Sequence, residues 1–307
     1  MNTISVIIPV YYNAGSLPVL FRELKEVEQT IAKQDFALEL IFVDDGSGDN
    51  SFAELLKIKE QRPGTRVVKL TRNFGAVHAS KAGLRLATGD CFLILAADLQ
   101  DPPSLIPTLL DYWKQGKKFV ACIREDRDDP VMTKALASVY YRLLRKFVVS
   151  DYPQGGFDLA LMDKAMLPFL QQSNKNINPS LFAYWLGFEP TIISYSRRKR
   201  LHGKSRWTFS KKLTYFIDSL LGFSILPIRL ISSLGIIISL ASFIYGMVIF
   251  INALLGKATV SGFPTIVTLV SFLLGLIIVM LGVIGEYLWR VFDEVNQRPE
   301  YVIDEVY

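Results

Sequence analysis

Apolar and polar positions change their rhythm along this chain. Over the first 125 or so residues, short apolar runs alternate with amphipathic stretches. Ile4–Val10, Leu38–Val43, Arg66–Leu70, Cys91–Leu95 and Phe119–Cys122 read as strands. Between them, Leu17–Ala32, Ser51–Glu60, Ala76–Ala87 and Ser104–Lys114 repeat apolar residues at helical spacing. This alternation predicts a parallel sheet with helices on its faces, a fold that binds ligands beyond the carboxyl ends of its strands. Farther on, Val131–Val149 and Trp207–Ser224 each carry an apolar stripe flanked by Lys and Arg. Such helices suit a membrane interface. No charged residue occurs from Leu230 to Leu255, nor from Val260 to Gly285. Each stretch has about 26 residues, roughly 39 Å as helix, and so is long enough to cross a bilayer with some tilt.

Composition sharpens this division. Half of the 307 residues are apolar, yet 21% are charged. Charges crowd the first two thirds and apolar residues the last, which excludes a disordered chain, a disulfide scaffold and a uniformly soluble enzyme. The net charge of +5 does not call for nucleic acid. Its placement matters more, because basic residues gather from Arg197 to Lys212 just ahead of the apolar stretches. That suits an anionic membrane face or a phosphorylated substrate. Lys211, Lys212 and Arg229 precede the apolar pair, and Arg290 and Arg298 follow it, predicting that both termini are cytoplasmic. The opening MNTISVIIPV runs straight into a strand pattern, with no cleavable leader. Cys91 and Cys122 sit in strand patterns and read as small core residues; two histidines argue against a Cys/His zinc site.

Three predicted strands end in polar or acidic turns: Pro9-Val10-Tyr11-Tyr12-Asn13, Asp44-Asp45-Gly46-Ser47, and Ala96-Ala97-Asp98-Leu99-Gln100-Asp101-Pro102-Pro103. Acids along one sheet edge suit a hydrated cation with a diphosphate, or the N–H and hydroxyl groups of a nucleoside. Neither a G-x-G-x-x-G nor a P-loop motif is present.

The run VIIPVYYN, then VDDGS, TRNFG (Thr71–Gly75) and ADLQDPP, resembles the family 2 glycosyltransferases, with their α/β GT-A fold. Further matches are GGFDLALMD (Gly155–Asp163), RRKRLHGKSRW (Arg197–Trp207), the two apolar stretches and GEYLWRVFDEVNQRP (Gly285–Pro299). These narrow the resemblance to the polyprenyl-phosphate glycosyltransferases: the bactoprenol glucosyltransferases and the dolichol-phosphate mannose synthases. It implies a cytoplasmic GT-A domain over 1–206, with the amphipathic helix near 131–149, and an interface helix over 207–227. Transmembrane helices would follow over 228–256 and 260–289, then a cytoplasmic tail over 290–307. The protein would be a multi-pass enzyme of the bacterial inner membrane and a homo-oligomer, with a tetramer suggested by the subfamily.

The implied reaction moves a sugar, with inversion, from a nucleotide diphosphate donor to a polyprenyl phosphate such as undecaprenyl phosphate. Glucose from UDP-glucose is the leading donor; galactose, N-acetylhexosamine, modified arabinose and mannose remain open. By motif, Pro9, Tyr11, Asp44, Asp45, Arg72, Ala97 and Asp98 would bind donor. Asp98 and Gln100 would hold Mg²⁺ or Mn²⁺. Arg124, Arg127, Ser138, Arg200, Ser205 and Arg206 would bind acceptor or phosphate. Asp98, Asp158 and Arg200 would be catalytic. Ala96 stands where the family usually has Asp, and Tyr12-Asn13 where it usually has Asn-Glu. Mg²⁺ commonly takes only one or two carboxylates, so the first departure need not abolish metal binding. A phosphate monoester with a second pKa near 6 is mostly dianionic at neutral pH, so the nucleophile needs little deprotonation. Asp158 is therefore expected to orient an arginine or a sugar hydroxyl rather than act as an obligatory base. Arg72, Asn73 and Lys81 flank the third strand's end and could face donor or cap structure. The competing readings are a non-catalytic nucleotide-sugar-binding membrane protein, a processive synthase and a channel subunit. The synthase lacks support because Gly203 stands where its Gln-x-x-Arg-Trp motif needs Gln. The channel lacks support because the spans carry no central charge.

Overall fold

The computed structural model describes residues 1–125, 138, 140–146, 148–150, 152–153, 156–173, 175, 177, 179–198, 222–224, 226–255 and 262–307. They form two units, Met1–Leu220 with Pro299–Tyr307, and Leu221–Arg298.

The first unit is an α/β domain built on one mixed sheet. Its strands are β1 (Asn2–Val10), β2 (Phe36–Asp44), β3 (Arg66–Leu70), β4 (Cys91–Ile94), β5 (Phe119–Arg124), β6 (Leu159–Asp163), β7 (Pro190–Tyr195) and β8 (Ile303–Val306). Its helices are α1 (Leu17–Ala32), α2 (Ser51–Gln61), α3 (Ala76–Leu84), α4 (Ile106–Lys114), α5 (Leu167–Gln171) and α6 (Pro179–Trp185). The sheet order is β7-β5-β6-β4-β1-β2-β3-β8. Strands β1 to β4 are mutually parallel, β6 is antiparallel to both β4 and β5, and β7 is parallel to β5. The carboxyl ends of β1, β2, β3, β4, β5 and β7 therefore share one edge, together with the amino end of β6. Strand β8 runs antiparallel to β3, so its amino end lies there too.

The first five strands and four helices follow the hydrophobic pattern closely. α3 is shorter than its pattern, stopping at Leu84. Strands β6, β7 and β8 lie beyond the regular strand–helix alternation and are additional to the five strands expected from it. The central strands β1 and β2 are flanked on both sides and covered on both faces, which explains their near-continuous apolar runs. Pro9 is tolerated in β1 for a geometric reason. Ile7 bonds toward β4, accepting from Leu95, so Pro9 also turns toward β4, whose pairing has already ended at Ile94. The missing N–H faces no ladder partner.

Helix α3 lies against β1 and β2, and its approach fixes one residue. A Cβ on Gly83 would stand 2.4 Å from Ile7 Cγ2 and 3.2 Å from Val43 Cγ2. Only hydrogen fits there.

The second unit holds α7 (Leu226–Leu254) and α8 (Phe263–Val295). Their windows Leu226–Ile249 and Phe272–Val295 have mean hydropathies of 2.0 and 2.1, and no described residue in either is fully buried. Both helices are long and apolar enough to cross a membrane. A core helix of a soluble protein would instead be covered. Gly235 on α7 faces Met280 on α8, leaving 3.0 Å for a Cβ.

Replacing Gly83 by Ala should lower stability by about 1–3 kcal/mol, the usual cost of overpacking a filled core. The thermal midpoint of the detergent-solubilised protein checks this; an unchanged midpoint would mean that α3 can move off β1.

Candidate active site

Two loops at the shared edge are sewn together by backbone amides and short side chains. Tyr12 N donates to Ser47 Oγ at 3.1 Å, Asn13 N to Ser51 Oγ at 2.7 Å, and Asp45 N to the Val10 carbonyl at 2.8 Å. Tyr12 adopts a left-handed backbone (φ 57), and its ring meets that of Tyr11 edge-on at 4.7 Å. The β1–α1 and β2–α2 turns thus form a continuous rim.

Asp44 and Asp45 divide the work there. Asp45 is buried, and its two oxygens accept from Phe74 N at 2.7 Å and Gly75 N at 2.9 Å. It therefore clamps the β3–α3 connection. Asp44 accepts from Ser47 N at 3.2 Å through Oδ2, while Oδ1 is buried without a partner among the described residues. Burial pushes both carboxyls above their ordinary range, against the hydrogen bonds that lower them. An orphaned buried acceptor suits an incoming N–H or hydroxyl. Gly46 (φ 67) is required here, because a Cβ would meet the Arg72–Asn73 backbone at 2.7–2.9 Å. Arg72 stacks its guanidinium on the Phe74 ring at 4.2 Å.

The turn after β4 is tight. Asp98 Oδ1 accepts from Gln100 N at 3.2 Å, and Leu99 between them is left-handed (φ 62) with its side chain in the core. Ala97 is buried and its carbonyl accepts from Ser16 Oγ at 2.7 Å, so its role is to fasten the turn to α1. Ala96 is half-buried. Next comes Asp101, 3% exposed, which takes hydrogen bonds from Tyr195 Oη and from Arg197 Nε at 3.2 Å. Burial raises its pKa, while Arg197 and Tyr195 act in the opposite sense without cancelling it. The basic run starts on this turn: Arg198 N donates to the Gln100 carbonyl at 3.0 Å, and its guanidinium grips Glu23 of α1 at 2.8 and 2.9 Å.

Arg124 at the end of β5 meets Asp158 at the start of β6 in a two-point ion pair. Its Nε donates to Oδ2 and its Nη2 to Oδ1, the latter at 2.6 Å. Burial works against the guanidinium charge, but the Asp158 carboxylate outweighs it and holds Arg124 above its ordinary pKa. Tyr195 Oη lies 3.5 Å from Asp158 Oδ2, linking this pair to Asp101.

The shared edge thus carries Pro9, Asp44 and Arg124 at the ends of β1, β2 and β5, and Tyr11, Asp45, Arg72, Asp98, Gln100 and Asp158 in the adjoining loops. Ser138 is exposed on helical backbone. Arg127, Arg200, Ser205 and Arg206 lie outside the described residues, as do 131–137, 139 and 147 of the first amphipathic stretch and 207–221 of the second. Lys81 does not face a donor: its Nζ is buried against the Ser173 carbonyl and the Glu300 carboxylate. Tyr195, Arg197 and Asp101 join the candidate site through contacts that the local sequence does not signal: nothing in the Asp101-Pro102-Pro103 run links it to a tyrosine about ninety residues later.

Among the described residues no cluster of three His, Cys, Asp or Glu could cage a metal. One carboxylate at Asp98, with the Gln100 side-chain amide, fits a different kind of site. It suits a hard ion that takes most of its ligands from phosphate oxygens and water.

Residues 5–175 match the family model described as Glycosyl transferase family 2. An uncharacterized glycosyltransferase of Synechocystis sp. is 32% identical over 307 residues, covering 99% of this chain and 95% of its own. The bactoprenol glucosyl transferase of Shigella phage SfII is 28% identical over 302 residues, covering 98% and 97%. Among solved structures, a mannosyltransferase from Pyrobaculum calidifontis in complex with GDP-Man and Mn2+ is 20% identical. It covers 64% of this chain and 58% of its own, with a TM-score of 0.46.

Tyr195→Phe should cost about 1–3 kcal/mol, because it removes a hydrogen bond from a buried carboxylate. Thermal unfolding of the full chain checks it; a change of a few tenths would mean that Arg197 alone satisfies Asp101.

Proposed function

The chain belongs to glycosyl transferase family 2, and on that premise we propose that it transfers a hexose from a nucleoside diphosphate sugar to a polyprenyl phosphate in the membrane. The leading pair is UDP-glucose and undecaprenyl phosphate, supported by full-length similarity to proteins named bactoprenol glucosyl transferases. The observation that carries the reading is the junction of the acidic turn with the basic run. Arg197 and Arg198 are bonded to Asp101 and Gln100, so the start of that run is fastened to the turn that carries Asp98. A site for a diphosphate and a site for an incoming phosphate are then neighbours.

The unpartnered Asp44 Oδ1 supplies an acceptor for the nucleoside, and the rim of Tyr11 and Tyr12 supplies ring faces for its base. A divalent ion at Asp98 and Gln100 would supply positive charge to the departing diphosphate. Arg124 presents a guanidinium of fixed orientation to a phosphate, because Asp158 holds it from behind. In this reading Arg127, Ser138, Arg200, Ser205 and Arg206 complete the acceptor's phosphate site. Attack by the phosphate oxygen on the face opposite the leaving diphosphate inverts the anomeric centre. The protein's part is positioning and electrostatics. Both oxygens of Asp158 are engaged by the Arg124 guanidinium, so Asp158 acts through Arg124 rather than as a base.

The two apolar helices cross the membrane in this reading and return the chain to its starting side, the cytoplasmic one by the placement of Lys and Arg. That agrees with β8, from the segment after α8, pairing with β3. The same reading makes the protein a homo-oligomer of the bacterial inner membrane.

Purified full-length protein, undecaprenyl phosphate, Mg²⁺ or Mn²⁺ and a panel of labelled UDP- and GDP-sugars test the proposal. One donor should give a metal-dependent lipid-linked product, and Asp98→Asn should lower the rate by about 10²-fold or more. Binding of a nucleotide sugar without transfer would favour the non-catalytic reading. Asp158→Asn should lower kcat by about 10²-fold through a misplaced guanidinium, with no recovery as pH rises. Recovery at high pH would make Asp158 the base.

A further inference from the structure

We infer that the segment Pro299–Tyr307, which follows the second apolar helix, positions the donor loop, with Glu300 as its positioning residue acting through Lys81. The inference rests on the reading of Thr71–Gly75 as part of the donor site. The segment grips the β3–α3 connection on both sides. Before the loop, β8 pairs with β3, Thr71 N donates to the Val302 carbonyl at 3.0 Å, and Lys69 pairs with Asp304 at 2.9 Å. Beyond the loop, Glu300 reaches α3, where it pairs with Lys81 Nζ at 3.1 Å and lies 3.8 Å from His78 Nδ1.

This ion pair is well removed from water: the Lys81 side chain is 5% exposed and that of Glu300 15%. Lys81 also donates to the Ser173 carbonyl at 3.2 Å. It donates to the Lys175 carbonyl at 3.4 Å as well; neutral carbonyls do not replace the charge of a carboxylate, so removing the Glu300 charge destabilises the buried ammonium and α3 shifts or opens to water. The shift has a direct path to the donor side. The Arg72–Asn73 backbone presses on Gly46 with no room for a Cβ, and Gly46 directly follows Asp44 and Asp45. Phe74 and Gly75, the last residues before α3, are the amides that Asp45 holds. Glu300 touches neither donor nor acceptor in this arrangement; it sets the loop that does. The donor site is therefore complete only when the chain beyond both apolar helices has docked.

The test uses the full chain in detergent, with Glu300→Gln, Lys81→Met and the double variant Lys81→Met/Glu300→Gln. Glu300→Asp, which keeps the charge, serves if the neutral variants fold poorly. Amide hydrogen exchange over 71–75 should speed up in Glu300→Gln. KM for UDP-glucose should rise about tenfold with kcat nearly unchanged, the signature of lost binding rather than lost chemistry. The double variant should recover part of the loss, because no orphan charge remains. Unchanged exchange and unchanged KM in a folded Glu300→Gln protein would overturn the inference, as would an equal fall of kcat and kcat/KM. Faster exchange at 71–75 with no effect on UDP-glucose KM would leave the strap's grip intact and remove the loop from the donor site. Absence of transfer in the unmodified protein would count against the proposed function alone, since the exchange result stands without it.

Discussion

Asp101 is the buried charge on which the geometry of this site turns. A carboxylate excluded from water must find donors, and the turn that carries it has none to spare. Its partners arrive from β7 and the residue two beyond, as Tyr195 and Arg197. That requirement brings the start of a strongly basic run to a strongly acidic turn, two segments whose like charges would otherwise disperse along the edge. Tyr195 also reaches toward Asp158, so one hydroxyl stands between the acidic turn and the Arg124 pair. Burial keeps the Asp101 pKa raised even with both partners in place.

Asp45 does the equivalent on the donor side. Both of its oxygens hold backbone amides of the β3–α3 connection, which leaves Asp44 as the acid with an unsatisfied oxygen. Two adjacent identical residues thus have different duties, set by which backbone groups each can reach. A similar division separates Ala97, which fastens the β4 turn to α1, from Asp98, which stands at its rim. The site is a set of loops locked by main-chain hydrogen bonds, with few side chains left over for chemistry. In the proposed reaction this is sufficient, since the nucleophile comes already charged and the difficulty lies in holding two phosphates together.

The apolar helices and the strap after them give the fold an unusual dependence on its own end. Strand β8 covers what would be the open edge of β3, and exposed edges invite unwanted pairing. The same nine residues place Glu300 against a buried lysine. The stability of the sheet edge and the shape of a functional loop then rest on one segment.

Much of the first unit was legible in sequence because its signals are local. Apolar runs of four to eight residues and helical repeats between them need no distant information, and they placed five strands, four helices and three edge loops. The two long apolar helices were legible for the same reason, being set by length and lack of charge. The resemblance to the family was carried by VIIPVYYN, VDDGS, TRNFG and ADLQDPP in that order, each a short contiguous run. What the tertiary structure alone decided is how groups far apart in sequence share charge and hydrogen bonds. Strands β6 and β7 are short and defined by pairing, β8 lies beyond two apolar helices, and none has a pattern that names its partner. Likewise Arg124 with Asp158, Asp101 with Tyr195 and Lys81 with Glu300 are pairs made by topology. The residues told of chemistry; only the fold told which carboxylate was spent on the backbone, which on an arginine, and which was left with an open oxygen.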